Sequence, residues 1–189
     1  MPELTPHYAL LCVGNSMMGD DGAGPRLAER CAEQPLPGWT VIDGGAAPEN
    51  DIGYLRELHP THLVIVDATD MGLPPGEMRL LDEDDIGEMF LLTTHTLPLT
   101  FLIQQLRDDI PQITFVGIQP DVVAFYYPMS AAVEQAIEQL HQRLPMLESG
   151  LGIATFRHDA IDISVETVTT SRRRQEALSS LSQRENLTN

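Results

Sequence analysis

The strongest constraint on the fold is a series of apolar runs that alternate with helix-like patterns along the chain. The runs YALLCVG, HLVIVDA and ITFVGIQ are almost continuously apolar, which is typical of parallel strands buried on both faces. The shorter segments TVIDGG and EMRLLD predict two further strands. Because amphipathic segments lie between them, the sequence predicts an α/β three-layer sandwich. Its central, mostly parallel, twisted sheet has about five strands, with helices on both faces.

The predicted helices carry apolar side chains at helical spacing, so each has one face directed at the sheet. Asn50 and Ser130 are candidate N-caps of two of them, and Pro111 is expected to end a third. The helices are predicted over residues 25–33, 49–59, 98–111 and 130–144.

A chain of 189 residues is expected to form one domain. The alternating pattern ends near residue 155, so we interpret residues 1–155 as a single α/β domain. Residues 156–189 then form a C-terminal extension, either an edge strand plus a polar helix or a disordered tail. The alternation in AIDISVETV favours the strand.

The sequence also indicates the cellular compartment. It contains no run of about 18 apolar residues and no N-terminal signal pattern, which predicts a cytoplasmic protein without a membrane span. Cys12 and Cys31 belong to no C-x-x-C motif, so both are expected to be reduced core residues.

The chain is strongly acidic, with a formal net charge of −17, and every basic residue is an arginine. Such a charge repels nucleic acid and anionic membranes, so neither is an expected partner. It suits a cation or a basic stretch of another protein, although most of the acids also fit an ordinary solvated surface.

The loop in LLCVGNSMMGDDGAG has the glycine spacing of half a phosphate-binding loop. However, Asp20 and Asp21 stand where such a loop has Lys and Ser or Thr, and they would repel a phosphate. A nucleotide-binding enzyme is therefore disfavoured. A receiver-type signalling domain has a similar acidic pair, but it requires a lysine that this chain lacks. One of the two aspartates is alternatively a cap of the following helix.

Three separate polar signals are expected at the carboxyl edge of the sheet, where working sites of such folds lie. They are the pair Asp20 and Asp21, Asp67 at the end of the third strand, and His95 in the TTH loop. Carboxylate oxygen and imidazole nitrogen suit zinc, nickel, manganese or iron, so together they predict a metal site. Taken singly, Asp67 is equally consistent with a turn cap, and a lone loop histidine such as His95 is more often an ordinary surface residue.

Five stretches of the sequence resemble the nickel–iron hydrogenase maturation endopeptidases, and the likeness covers about residues 8–147. They are LLCVGNSMMGDDGAG, VIDGGAAPEND, VDATDMGLPPGE, TTHTLPL and GIQPD followed by FYYPM. The resemblance implies a nickel-dependent, aspartyl-type endopeptidase that removes a short C-terminal extension from the hydrogenase large-subunit precursor after nickel insertion. The precursor is then the expected partner, and the chain is expected to be a monomer.

The resemblance also implies functional residues. The family's metal ligands match Asp21, Asp67 and His95, which are the predicted catalytic and metal-binding residues, while Asp20 is left to the turn and the helix start. Nickel is expected to be presented by the substrate, and zinc or cadmium would take its place in a crystal. At the loop tip, methionines either contact another chain or fold back on the core. The predicted substrate contacts are Met17, Met18, Gly44, Gly45 and Thr94.

Two mechanisms remain open for such a site. Either a metal polarises the scissile carbonyl and activates a water, or an aspartate acts as general base while nickel only docks the substrate. A different function uses the same ligands, namely a non-catalytic nickel checkpoint that binds the immature large subunit.

Overall fold

The computed structural model describes residues 7–89 and 99–157. Its centre is a five-stranded sheet with the strand order β2-β1-β3-β5-β4, in which only β4 is antiparallel to its neighbour. The strands are β1 (Tyr8–Val13), β2 (Trp39–Gly45), β3 (His62–Ala68), β4 (Met78–Leu81) and β5 (Gln112–Ile118). The predicted α/β fold with a mostly parallel sheet is therefore confirmed.

Helices cover both faces of this sheet. Alternate residues of β1 point to opposite cores: Leu10 and Cys12 pack with α1 and α5, and Ala9 and Leu11 pack with α2, α3 and α4. The helices are α1 (Ala23–Glu33), α2 (Ile52–Leu58), α3 (Glu83–Met89), α4 (Leu99–Leu106) and α5 (Ala131–Arg143). As predicted, Cys12 and Cys31 are buried free thiols.

The helix boundaries test the predicted caps. Ser130 is confirmed as the N-cap of α5, since its hydroxyl oxygen accepts a hydrogen bond from the Val133 N–H at 3.4 Å. Asn50 as a cap is wrong: a 3-10 turn, Pro48–Asp51, leads into α2, whose flanking residue makes no side-chain cap. Contrary to the prediction, Pro111 does not end α4 directly. The helix ends at Leu106, and a turn separates it from Pro111.

Helix α3 was not predicted, because its acidic sequence EDDIGEM shows no apolar periodicity. Asp82 caps its N-terminus, since Oδ1 of Asp82 accepts a hydrogen bond from the Asp85 N–H at 2.9 Å. Its Ile86 is buried in the core shared with α4.

The core extends slightly beyond the predicted domain boundary. Leu80 of β4 donates to the Ala154 carbonyl at 2.9 Å, and the Phe156 N–H donates back to Leu80 at 2.8 Å. Phe156, the first residue of the predicted extension, is buried, and the compact unit that holds the sheet ends there. The predicted strand AIDISVETV lies outside the described residues, so the structure assigned to the C-terminal extension stays a prediction.

Within residues 7–89 and 99–157, no helix has the length and apolar character needed to cross a membrane.

Candidate active site

The loop after β1 folds back tightly over the end of its strand. Gly14 has a φ of +139°, and a Cβ on it would lie 2.0 Å from the Asp21 carbonyl oxygen, so only glycine fits there. The Asn15 N–H donates to Oδ2 of Asp21 at 3.1 Å. The loop therefore fixes both the backbone and the carboxylate of Asp21.

Asp20 lies beside Asp21 but has a different role. It is fully buried and accepts four hydrogen bonds from the segment between β5 and α5. Three come from the N–H groups of Asp121 (2.8 Å), Val122 (3.3 Å) and Ser130 (2.7 Å), and one from the Ser130 hydroxyl (2.8 Å). Its predicted role at the start of α1 is wrong, because no side chain caps that helix. Asp20 instead joins the loop after β1 to the loop after β5.

Asp67 lies near the end of β3, paired with Gly117 of β5, and only 4% of it is exposed. Burial, and then the nearby Asp21 carboxylate, raise the pKa of Asp67 well above its usual range. The structure thus brings Asp21 and Asp67 together, as the sequence predicts. Two carboxylates that repel each other in a buried setting are the donor set that a hard or borderline divalent cation would stabilise.

The predicted third ligand, His95, lies outside the described residues, as does Thr94. Across residues 7–89 and 99–157, no group of three His, Cys, Asp or Glu side chains is placed to hold a metal ion. Asp21 and Asp67 therefore fit a cation as a pair, and the completion of the site by His95 stays a prediction.

The other predicted substrate-contact residues differ in their solvent exposure. Met17 is 48% exposed at the loop tip, and Met18 is half-buried. Gly45, with a φ of +53°, has open space where a Cβ would be, and its carbonyl accepts a hydrogen bond from the Gly14 N–H at 2.9 Å. Gly44 packs inward, since a Cβ there would lie 2.9 Å from Cδ1 of Leu11. Their contact with a substrate stays a prediction.

Gln119 supports the loop after Asp67, and the sequence analysis missed it. Its buried side chain accepts hydrogen bonds from the Met71 and Leu73 N–H groups at 2.7 and 3.2 Å, and donates to Asp70 at 3.1 Å. The available signal was a polar residue directly closing the apolar run of β5. Gln119 therefore fixes the course of the chain immediately after the Asp67 carboxylate.

The described loops at the carboxyl edge are acidic. The loops at residues 14–22, 46–51, 69–77 and 119–130 contain acidic residues but no arginine or lysine. At the end of β2, burial and then the neighbouring Asp43 carboxylate raise the pKa of Asp51. This edge is therefore suited to positively charged groups.

Comparison with known proteins identifies the family. A family model for hydrogenase maturation proteases, HycI, matches residues 25–145. The chain belongs to this family. The hydrogenase 3 maturation protease of Escherichia coli K12 is 63% identical over 145 residues, which cover 77% of this chain and 93% of the relative. A putative hydrogenase maturation protease of Methanocaldococcus jannaschii is 30% identical over 140 residues, covering 69% and 82% of the two chains.

Solved structures of this family share the fold. A crystal structure of a hydrogenase 3 maturation protease superposes with a TM-score of 0.76 at 59% identity, covering 81% of this chain and 98% of the other. The hydrogenase maturating endopeptidase HybD of Escherichia coli gives a TM-score of 0.64 at 28% identity, with 78% and 95% covered. The resemblance seen in the sequence is confirmed, and the family is one of hydrolases that act in hydrogenase maturation.

Proposed function

We propose that this protein is the endopeptidase that removes the C-terminal extension of a nickel–iron hydrogenase large-subunit precursor once nickel has been inserted. The observation that carries the proposal is the pairing of Asp21 and Asp67 at the carboxyl edge of the sheet, in a chain of the maturation protease family. The 63% identity with the hydrogenase 3 maturation protease favours a precursor of that type.

In this proposal the nickel is part of the substrate. Asp21 and Asp67 offer it carboxylate oxygens from two separate elements, and His95 adds an imidazole nitrogen. Oxygen and nitrogen donors of this kind bind several divalent metals, with affinity rising toward nickel and copper, so affinity alone does not select nickel. Because the precursor itself presents the nickel, a set of ligands that binds several metals can still respond only to a precursor that contains nickel.

The two carboxylates have different environments, so they are suited to different roles in substrate binding. Asp21 is held by the Asn15 N–H and is partly open to solvent, so it can reach a bound precursor. Asp67 is buried on β3, the strand next to β1. A substrate that reaches both must insert its metal centre into the edge of the sheet, which places the adjoining peptide over the loop after β1.

A cleavage assay tests this function. Nickel-loaded and nickel-free precursors are incubated with the protein, with nickel or zinc added in one arm to the protein alone, and the shortened product is followed on a gel. We expect product only from the nickel-loaded precursor. The variants Asp21→Asn, Asp67→Asn and His95→Ala should each reduce its rate by at least about 10²-fold. Asp108→Asn, which removes an exposed carboxylate from the turn after α4, outside the loops of the carboxyl edge, is the matched control and should cleave normally.

Each other outcome has a definite meaning. Equal cleavage of both precursors would show that nickel is not read from the substrate. Normal processing by Asp67→Asn would overturn the assignment of the site. Binding of the nickel-loaded precursor without any shortened product would instead identify the protein as a nickel checkpoint.

A further inference from the structure

The loop after β5 displays an unusual set of apolar side chains. Val123, Phe125, Tyr126 and Tyr127 are 49%, 61%, 77% and 54% exposed, respectively. The rings of Phe125 and Tyr126 lie with their centroids 4.2 Å apart. Neighbouring exposed aromatic side chains are typical of protein-binding surfaces, because large rings contribute much of the binding energy when they are covered.

The backbone holds these rings outward in a defined turn. The Tyr127 N–H donates to the Ala124 carbonyl at 3.1 Å, and Tyr126 has a φ of +55°. A residue with a side chain rarely adopts that left-handed conformation. The fold therefore keeps Tyr126, the most exposed of the four, in a conformation that its own backbone preference opposes.

This turn is continuous with the loop that carries Asp21. The Tyr126 N–H donates to the Met17 carbonyl at 2.8 Å, and the Asp20 N–H donates to the Val122 carbonyl at 2.9 Å. Gly19 makes this approach possible, because a Cβ on it would lie 2.6 Å from the Val122 carbonyl oxygen. Met17, itself half exposed, extends the apolar area toward the candidate site. We call Met17, Val123, Phe125, Tyr126 and Tyr127 the docking surface.

We propose that the docking surface binds the hydrogenase large-subunit precursor, through a precursor segment that combines apolar side chains with basic ones. The inference rests on the proposed function and adds to it a second attachment point outside the metal-reading residues. The apolar part of the segment covers the aromatic rings. Its basic part faces the surrounding loops, which contain acidic residues and no arginine or lysine.

The attachment has a direct use in peptide cleavage. Because the turn and the Asp21 loop are joined by backbone hydrogen bonds, a precursor held on the rings is placed at a fixed distance from Asp21. A turn whose backbone is already fixed loses little backbone freedom on binding, and aromatic side chains have few rotatable bonds, so more of the contact energy appears as affinity. Precursor affinity therefore depends on two neighbouring groups of residues, one that reads nickel and one that holds the polypeptide.

The test measures binding separately from cleavage. The Kd for nickel-free precursor, which the protein is expected to leave uncleaved, is determined by calorimetry for the full-length chain and for the double variant Phe125→Ser and Tyr126→Asn. Asparagine is used at residue 126 because it tolerates a positive φ. We expect the Kd to rise about tenfold or more, as for aromatic residues at the centre of an interface, with an unchanged Tm. A second double variant, Val123→Ser and Tyr127→Ser, should weaken binding in the same direction.

Met146→Ser is the matched control, since Met146 is 51% exposed in the turn that follows α5, away from the loops of the carboxyl edge. It should bind the precursor as the unmodified protein does. Unchanged affinity in both double variants would overturn the inference. Loss of a concentration-dependent dimer in sedimentation, with unchanged precursor affinity, would assign the surface to a second copy of the chain and would overturn it too. Precursor binding that depends on the rings, together with no cleavage of nickel-loaded precursor, would count against the protease proposal alone.

Discussion

Asp20 and Ser130 are joined by two hydrogen bonds, from the Ser130 N–H at 2.7 Å and from its hydroxyl at 2.8 Å, across 110 residues of sequence. The same carboxylate accepts the N–H groups of Asp121 and Val122. One buried side chain therefore holds together the loop after β1, the loop after β5 and the start of α5.

Asp20→Asn should destabilise the fold by at least about 2 kcal/mol, because an amide nitrogen would face N–H donors that need an acceptor. We expect a lower midpoint in urea with an unchanged m-value. Asp121→Asn removes an exposed carboxylate one hydrogen bond away and should leave the midpoint unaltered. Equal midpoints for Asp20→Asn and the unmodified protein would show that the four hydrogen bonds contribute nothing net.

Asp67→Asn should stabilise the metal-free protein at neutral pH while it abolishes processing. Since the folded pKa of Asp67 is raised above its ordinary value of 3.8, the native state holds a proton that the unfolded state loses. Stability therefore falls as pH rises from about 3.8 toward the raised pKa, by about 1.4 kcal/mol for each unit of the shift. The Tm of the variant should exceed that of the unmodified protein at pH 7, and the two should converge near pH 4.

Asp108→Asn, which removes an exposed carboxylate from the turn after α4, serves as the control and should leave the pH dependence of the Tm as it is in the unmodified protein. A variant Asp67→Asn with a lower Tm at every pH would indicate that the ionised carboxylate is favourably held in the native state.

Gly24→Ala should be destabilising although alanine is the better helix former. A Cβ at Gly24 would lie 2.1 Å from the Val13 carbonyl oxygen and 2.5 Å from its nitrogen, so α1 would have to move away from β1. The clash should outweigh the gain in helix propensity of about 1 kcal/mol. Gly53→Ala in α2 is the matched comparison, because nothing lies within 4 Å of its Cβ position.

Thermal unfolding of the two glycine variants provides the measurement. Gly53→Ala should raise the Tm, reflecting a gain of up to about 1 kcal/mol, and Gly24→Ala should lower it. A rise in both would show that α1 can shift on β1 at little cost.

Truncation separates the edge of the core from the extension. A chain that ends after Arg157 should keep its Tm, whereas one that ends after Gly152 should lose the hydrogen bonds to Leu80 and the buried Phe156 ring. Removing a buried phenylalanine side chain alone typically costs about 3 kcal/mol or more, so Phe156→Ala should reproduce much of the second effect. A folded, active chain ending at Gly152 would contradict this.

The strands and the positions of the carboxylates at their ends could be predicted because their signals are local. A parallel strand buried on both faces is an unbroken apolar run, and Asp67 stands at the end of one. Since parallel strands end at one edge, the sequence predicts that the pair Asp20 and Asp21 lies near Asp67, and the family resemblance singles out Asp21.

The different roles of Asp20 and Asp21 could not be predicted from local sequence. The partners of Asp20 lie 101 to 110 residues away, and a helix cap was the nearest local alternative. Likewise, the burial of Phe156 depends on the edge of β4, which no pattern near residue 156 indicates. The exposed conformation of Phe125 and Tyr126 depends on the hydrogen bond from the Tyr126 N–H to the Met17 carbonyl, which is again a tertiary contact.

The hydrogen bonds of Asp20 determine when the conformational entropy of the site is lost. Because Asp20 secures its loop from within the folded protein, Asp21 is preorganised before any partner arrives, and the ordering of this loop is completed during folding. Under the proposed function, nickel recognition then requires no closing movement of the Asp21 loop. Under the same proposal, the ordering cost of recognition falls on the precursor's C-terminal segment, so the flexibility of the substrate, more than that of this protein, governs how quickly the cleavable complex assembles.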